Sequence, residues 1–264
     1  MNAPTLLLFN AAILACGFFI LWLICLRTRD VTPVDSVWAF GMVALAFSSF
    51  ILTESAGTRS TLLLAISALW GLRLGGYMLW RWRDHGPDRR YQALIGKAEA
   101  RRGWGFGQAT ARLVFAPQAP MLFIVCLPVQ LGQVGPNVSM SALAFAGVAI
   151  CLIGIAFETV GDWQLVKFKR DPNNTGKVMQ SGLWRYTRHP NYFGDACVWW
   201  GLFLIAAETP WGFWSLPGPI LLTWTLTKWS GAPTVEGRLH KTRKGYADYA
   251  ERTSGFFPMP PKRD

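Results

Sequence analysis

The chain has 264 residues, 52% of them hydrophobic and only 16% charged, with 14 Trp, 17 Phe and a formal net charge of +11. An ordinary soluble domain holds about a quarter charged residues, so this balance excludes that class and points to a protein of the bilayer. Nucleic-acid binding is the weaker explanation of the positive charge, because the basic residues sort by position along the chain.

Seven apolar segments of roughly spanning length follow one another at 5–26, 34–52, 60–82, 110–132, 141–166, 190–207 and 212–229, the sixth being short. They predict an all-α integral-membrane bundle of about seven helices. With the N-terminus outside, Arg27 and Arg29, the stretch from Arg81 to Arg102, the stretch from Lys167 to Arg188 and the tail from Lys228 to Arg263 all fall on the inner side. The outer connections, Thr53–Arg59, Gly132–Ser139 and Glu208–Trp211, contain one basic residue, Arg59. Lysine and arginine collect in short cytoplasmic loops, so the C-terminus is expected inside.

Met1-Asn-Ala-Pro lacks a basic leader, and the first apolar run is long enough to span, so this run is expected to stay in the mature chain. Cys16, Cys25, Cys126, Cys151 and Cys197 lie in apolar runs without metal-ligand spacing; buried packing roles are expected for them, and no metal. No internal repeat, heptad seam or low-complexity linker is legible. A single domain over 1–264 is expected, with 1–132 and 141–264 as its two parts.

Ionisable and amide groups inside spans are costly and usually functional. Here they share one level, toward the inner half: Asp35 in span two, Arg73 and Tyr77 in span three, Gln118 in span four, Glu158 and Asp162 in span five, Asn191 and Asp195 at the start of span six, and Lys228 closing span seven. Helical spacing groups Trp70 with Arg73 and Tyr77, and Glu158 with Asp162 and Lys169. A polar chamber opening to the cytoplasm is expected, not a full crossing path of the kind a transporter needs. Plainer roles stand beside these: Asp35 as a helix cap, Tyr77 as packing with a wet hydroxyl, and Glu158 and Asp162 as partners of loop cations.

The loop between spans three and four carries Asp88-Arg-Arg-Tyr91 and Gly103-Trp-Gly-Phe-Gly107, the latter without the strand and spacing of a phosphate-binding fingerprint. The most informative stretch is Gly182-Leu-Trp-Arg-Tyr-Thr-Arg-His-Pro-Asn-Tyr-Phe-Gly-Asp195. Pro190 suits the first turn of a helix, and Arg185, Arg188 and His189 precede it, so free backbone N–H groups and cations converge on an expected anion site. The tail Glu236-Gly-Arg-Leu-His-Lys-Thr-Arg-Lys-Gly-Tyr246-Ala-Asp-Tyr249 mixes cations with aromatics, consistent with a surface helix on anionic lipid or with a lid over a phosphorylated ligand.

Glu158…Asp162-Trp-Gln-Leu…Phe168-Lys, the Gly182–Gly194 stretch and Gly245-Tyr-Ala-Asp-Tyr…Phe257-Pro, together with Asp35-Ser-Val-Trp38, Trp70-Gly-Leu-Arg-Leu and Asp88-Arg-Arg-Tyr91, resemble bacterial members of the steroid 5-alpha-reductase family over most of residues 30–260. Isoprenylcysteine carboxyl methyltransferases and sterol C14/C24(28) reductases carry segments similar to Arg-His-Pro-Asn-Tyr; the spacing of Glu158 and Asp162 before it favours the reductase branch. The resemblance implies a seven-span enzyme with NADPH entering from the cytosol, a steroid entering through the membrane, and hydride delivered to the β-carbon of a 3-oxo-Δ4 enone. The cofactor-binding residues it implies are Glu158, Asp162, Lys169, Trp184, Arg185, Arg188, His189, Asn191, Tyr192, Asp195, Lys228, Tyr246 and Tyr249. On the substrate side it implies Trp38, Trp70 and Gln118, with Asp35, Arg73 and Tyr77 as the catalytic group. Animal members present a glutamate where this chain has Asp35 and a tyrosine close to Trp70, so Asp35 is expected to act with Arg73 or Tyr77. The partners expected are membrane lipid and a hydrophobic enone or steroid, with no nucleic acid and no obligate protein partner. A membrane methyltransferase using S-adenosylmethionine and a lipid-binding protein are the rival expectations.

Overall fold

The computed structural model describes residues 1–54 and 57–262; Arg263 of the basic tail, and part of the Thr53–Arg59 connection, lie outside them. The described residues form helices and connecting turns, with no strand. Four helices are long and apolar enough to cross a membrane: α1 (Ala3–Thr28), α2 (Val34–Leu52), α3 (Thr58–His85) and α8 (Ala142–Arg170). At the helical rise α1 extends roughly 39 Å, more than the ~30 Å hydrocarbon core of a bilayer. Its buried stripe is Leu6, Asn10, Leu14, Phe18, Leu21 and Cys25, whereas Leu8, Phe9, Phe19 and Ile20 are more than half exposed. A helix that exposes such residues is solvated by lipid. The protein is therefore a membrane protein.

Of the other three apolar segments, all helical, the fourth and seventh are interrupted and the sixth is one short helix. Phe106 to Leu131 is built from α5 (Phe106–Thr110), a π-turn (Ala111–Phe115), α6 (Ala116–Val125) and α7 (Leu127–Leu131). Pro117, Pro120 and Pro128 explain the breaks: each lacks an N–H, and its ring crowds the carbonyl one turn back. Widening to a π-turn relieves that crowding and leaves the Ala116 N–H donating to Ala111 O. The last segment is a 3-10 turn (Gly212–Ser215), α10 (Pro217–Trp224) and a second π-turn (Thr225–Trp229), and α9 (Pro190–Ala206) has 17 residues. Connecting and tail helices are α4 (Arg89–Arg102), α11 (Ala232–Thr242) and α12 (Tyr246–Arg252).

The chain divides into two compact units. The first comprises Met1–Ala144 with Ile205–Gly218. In it α2 and α3 pack as an antiparallel hairpin in which a Cβ at Gly71 or Gly75 would come within 2.4 Å of Val43 or Phe40, so glycine sets their close approach. One end is fixed by Arg59, 2% exposed, which donates to Glu208 at 2.7 Å, to Ser139 O at 2.8 Å and to Ile205 O.

This unit also corrects the expectation that interior polar groups keep to one level. Asn10, fully buried toward the opposite end from Asp35, donates to Ser49 Oγ at 2.9 Å and Gln130 Oε1 at 3.0 Å, and accepts from Ser48 at 2.6 Å. Gln133 donates to Ala46 O and Val129 O. Amides and hydroxyls that satisfy one another across helices act as glue in a medium that offers no water.

The second unit comprises Phe145–Leu204 and Pro219–Asp264. Here α8 and α9 run antiparallel, and a glycine seam joins them. A Cβ on Gly194 would meet Gly154 O at 2.5 Å, one on Gly201 would meet Gly147 O at 2.5 Å, and one on Gly161 would meet Pro190 at 3.1 Å. Gly147, Gly154 and Gly161 recur every seventh residue, as do Gly194 and Gly201. A heptad seam therefore exists, made of absent side chains. The five cysteines are free; Cys25, Cys126 and Cys151 are buried and Cys197 partly so, while Cys16 is exposed and does not have the packing role expected of it.

Candidate functional site

Two clusters of ionisable side chains stand out, one in each unit. In the first unit, Asp35 lies in the first turn of α2, a helix whose start has no side-chain cap, so its carboxylate is available for other bonds. Tyr91 of α4 donates its hydroxyl to Asp35 Oδ1 at 2.7 Å. Arg90 Nη2 reaches Asp35 Oδ2 at 3.3 Å, and Arg81 of α3 lies at 3.5 Å. Gln118 of α6 completes the arrangement, its amide donating to Tyr91 Oη at 3.2 Å. Three helices thus converge on one phenol.

The backbone beneath explains the placement. Asp88 caps α4 by accepting from Arg90 N at 2.8 Å, and its own N–H donates to Thr32 Oγ1 at 2.8 Å. Asp30 accepts from Thr32 and, at 2.7 Å, from Trp82 Nε1. These bonds tie the start of α4 to the α1–α2 turn and to the end of α3. Burial first, and then the Asp35 carboxylate, push the Tyr91 phenol far above its ordinary range, so it stays protonated. Asp88 is held below its ordinary value: burial opposes this, but the bonds from Arg90 outweigh it. A cleft of about 210 Å³ beside Tyr91 is lined by Asp30, Asp88, Glu99 and Phe106 among others.

Of the residues expected on the substrate side, Asp35 and Gln118 are brought together through Tyr91. Arg73 and Tyr77 are half-buried on α3, with Tyr77 stacked on Trp80 at 5.9 Å; Trp38 is half-buried and Trp70 fully buried. Tyr91, Arg81 and Arg90 received no role from the sequence. The pointer to them is the Asp-Arg-Arg-Tyr run, whose aspartate caps a helix that begins with two cations.

In the second unit, Glu158 and Asp162 are 2% and 6% exposed on α8. Asn191, in the first turn of α9, places its amide 3.5 Å from Asp162 Oδ1, and Asp195 follows one turn on. The preceding loop is anchored on α8 by Trp184 Nε1 donating to Gly161 O at 3.0 Å and Leu183 N donating to Gln164 Oε1 at 2.9 Å. Gly182 adopts φ +64° with the Gln164 side chain 2.3 Å from where a Cβ would stand, so only glycine fits.

Arg188 and His189 are turned to the tail. Arg188 grips both oxygens of Glu236, at 2.9 and 3.2 Å, and its Nη1 donates to Ala250 O at 2.7 Å and Thr253 O at 2.8 Å. Four of its five N–H donors are thereby committed within the protein. His189, 3% exposed, meets Glu236 at 2.8 Å through Nε2 and stacks on Tyr192 at 5.0 Å. Burial opposes the charge on Glu236, but the bonds from His189 and Arg188 prevail and hold its carboxyl at about 2. Thr187 donates to Phe256 O, Met259 N to Tyr186 O, and Tyr249 Oη to Trp184 O at 2.6 Å, closing a strap over the Gly182–His189 loop.

Tyr246 and Tyr249 are therefore buried anchors of the strap, and burial together with the Glu236 carboxylate pushes the Tyr246 phenol up to about 12. Arg185 is exposed and lines a cleft of about 480 Å³ with Gln180, Tyr249, Arg252 and Lys262. Lys169 is exposed near the end of α8, and Lys228 is exposed in the second π-turn. Glu236 was missed at the sequence level, although it is the one acid between Lys228 and Lys244.

Comparison with known proteins adds two findings. The chain is 21% identical to an uncharacterized protein of Schizosaccharomyces pombe, C594.04c, across 90% of this chain and 76% of that one. The profile of a family described as a protein of unknown function, DUF1295, matches residues 21–253. Because that match takes in both clusters and most of the chain, this membrane protein belongs to the DUF1295 family.

Proposed function

We propose that the chain is an NADPH-dependent ene-reductase of the membrane, similar to steroid 5-alpha-reductases, that reduces the Δ4 double bond of a 3-oxo-Δ4-steroid or a comparable hydrophobic enone. The observation that carries this reading is the Tyr91 phenol held between Asp35 and Gln118. An enone accepts hydride at its β-carbon only as negative charge develops on its carbonyl oxygen, and a neutral phenol with a fixed position is a suitable donor to that oxygen. In this reading the Tyr91 O–H, which donates to Asp35 at rest, turns to the substrate oxygen when the enone binds and gives up its proton there, while Asp35 and Gln118 fix the position of the phenol. Gln118 occupies one lone pair of the phenol oxygen, and Arg81 and Arg90 hold the Asp35 carboxylate in place.

Bound NADPH would supply the hydride. The second unit offers groups of the right chemistry for it: carboxylates at Asp162 and Asp195 for ribose hydroxyls, the Asn191 amide for a carboxamide, and a cation-lined cleft at Arg185 wide enough for phosphates. Glu158, Trp184 and Tyr192 belong to the same loop-and-helix frame, while Arg188 and His189 position it by holding the strap. Seven crossings, with the composite helices counted, an N-terminus outside and the cofactor groups facing the cytoplasm of a bacterial inner membrane complete the reading; the basic-residue asymmetry supports it.

The test is purification in mild detergent, mass spectrometry of bound small molecules, and an NADPH-oxidation screen against 3-oxo-Δ4-steroids and simpler enones. Copurified or titratable NADPH with enone-dependent oxidation is expected. Bound S-adenosylmethionine with methyl transfer, or neither nucleotide nor turnover, would overturn the reading.

A further inference from the structure

A feature of the first unit shares no residue with the Asp35–Tyr91 cluster. Arg102, the last residue of α4, and Arg112, in the first π-turn, both place their guanidinium carbons over the Trp104 indole, at 4.7 and 4.9 Å from its centroid. The two cations therefore lie within about 10 Å of each other, close to one Debye length at physiological salt. Both side chains are exposed, and among the described residues no carboxylate lies within ion-pair distance of either. Like charges gathered on one ring repel, and an anion between them would relieve that repulsion.

The platform beneath them is fixed. Gly103 turns the chain with φ +65°. Trp22 of α1 donates through Nε1 to Gly107 O at 3.3 Å and to Thr110 Oγ1 at 3.2 Å, which ties α5 to a membrane-crossing helix. Arg29, at the end of α1, covers the Phe106 ring at 4.2 Å. The π-turn adds to the arrangement, since its extra residue re-aims Arg112 relative to a regular helix. Arginines stacked on aromatics at the end of an apolar run sit at headgroup depth, where a guanidinium fork matches a phosphate.

We propose that Arg102, Trp104 and Arg112 form a phosphate oxyanion site, whose occupant is the phosphate of an anionic phospholipid headgroup. Trp104 holds both forks ready, the two charges give the preference for a net-negative headgroup over a zwitterionic one, and the site stands whether or not the chain is a reductase.

Delipidated protein in detergent would be titrated with phosphatidylglycerol, phosphatidylcholine and, separately, inorganic pyrophosphate, with bound species counted by native mass spectrometry. Wild-type protein is expected to hold phosphatidylglycerol roughly tenfold more tightly than phosphatidylcholine, the scale of one charge-assisted hydrogen bond. The double variant R102Q/R112Q should lose that preference, and R102K/R112K should keep only part of it. Trp104→Leu leaves both charges in place, and is expected to weaken binding if the indole organises them, which keeps the test decisive if the double variant melts early. Binding of pyrophosphate but not lipid, dependent on the same pair, would retain the oxyanion site and overturn the lipid assignment. Equal retention of phosphatidylglycerol by wild type and all three variants, each with a wild-type melting temperature, would overturn the site itself.

Discussion

Asp35 and Glu236 are both carboxylates held by arginine and by one further side chain, yet they are built for different work. Glu236 is gripped bidentately by an arginine only 17% exposed and by a histidine 4% exposed at the side chain, and that arginine spends its remaining bonds on carbonyls of the strap. Every group there is consumed in holding chain to chain. Asp35 meets two arginines 35% and 45% exposed, both shared with Asp88, and its shortest bond is to a phenol rather than a cation. An arrangement whose strongest contact is a neutral hydroxyl retains a movable proton; one whose contacts are forked and saturated retains only geometry. The contrast separates a positioning clamp from a candidate catalytic group.

The comparison breaks most readily at the clamp. Removing one partner of a buried ion pair typically costs about 3–5 kcal/mol, because the other charge is left without compensation; this pair is partly buried, so its cost falls at or below the lower end of that range. Arg188→Ala is therefore expected to lower the melting temperature steeply and to free residues 253–262 for limited proteolysis. Arg188→Lys should fare little better, since an ammonium cannot reproduce the two-oxygen grip together with two carbonyl bonds. A wild-type melting curve and proteolytic pattern for both variants would remove the clamp from the account.

At the other cluster the expected loss is kinetic. Tyr91→Phe removes the donor and Asp35→Asn removes the group that directs it, so turnover of an enone should fall about a hundredfold or more in at least one of the two. NADPH affinity and melting temperature should stay near wild type, because the charge being stabilised exists only in the transition state. Single-turnover NADPH oxidation decides this. Wild-type rates in both would return Asp35 to a tie between α2 and α4.

Acid separates the clusters further. The Glu236 carboxyl is held at about 2 against an ordinary value of 4.5, so the unfolded chain takes up this proton before the folded one does. The contribution to stability is then complete above about pH 4.5 and is lost as pH falls toward 2. In melting curves recorded between pH 6 and 3, wild type should lose more stability than Glu236→Gln, which has no such proton to gain. Parallel curves would show that the clamp does not depend on ionisation.

Much of the helical frame was legible because apolar run length and proline position are properties of the chain itself. The runs beginning at 5, 34 and 60 and the run at 141–166 coincide with α1, α2, α3 and α8 to within a few residues. The choice of partners was not legible. Asp35 was expected to act with Arg73 or Tyr77, within the spans, but the phenol bonded to it comes from α4, a connecting helix, and only the tertiary fold brings Tyr91 there. Arg188 was expected to meet an anion, yet the acid it meets is 48 residues away in the tail. The seam of Gly147, Gly154, Gly161, Gly194 and Gly201 escaped because a search for heptads looks for large residues, whereas close helix approach is made by their absence.

The smallest effect gives the sharpest contrast, because the same atom is deleted as in Tyr91→Phe. Tyr249→Phe removes a hydroxyl that donates to Trp184 O at 2.6 Å, one bond among the several that hold the strap over the loop. A neutral hydrogen bond of this kind contributes about 1 kcal/mol net, and the carbonyl left behind is a backbone acceptor with a second lone pair to satisfy elsewhere. Thermal unfolding should therefore show a drop of a few degrees at most, with the ring packing against Tyr246 kept. Turnover per folded molecule should change by less than about threefold, since the Tyr249 hydroxyl is spent on Trp184 O and the ring that lines the Arg185 cleft is kept in the variant. The two Tyr→Phe variants thus form a matched pair: one is expected to lose rate and keep stability, the other to lose a little stability and keep rate. If Tyr249→Phe instead lowers turnover as far as Tyr91→Phe does, the strap takes part in the chemistry and the division between clamp and catalytic group fails.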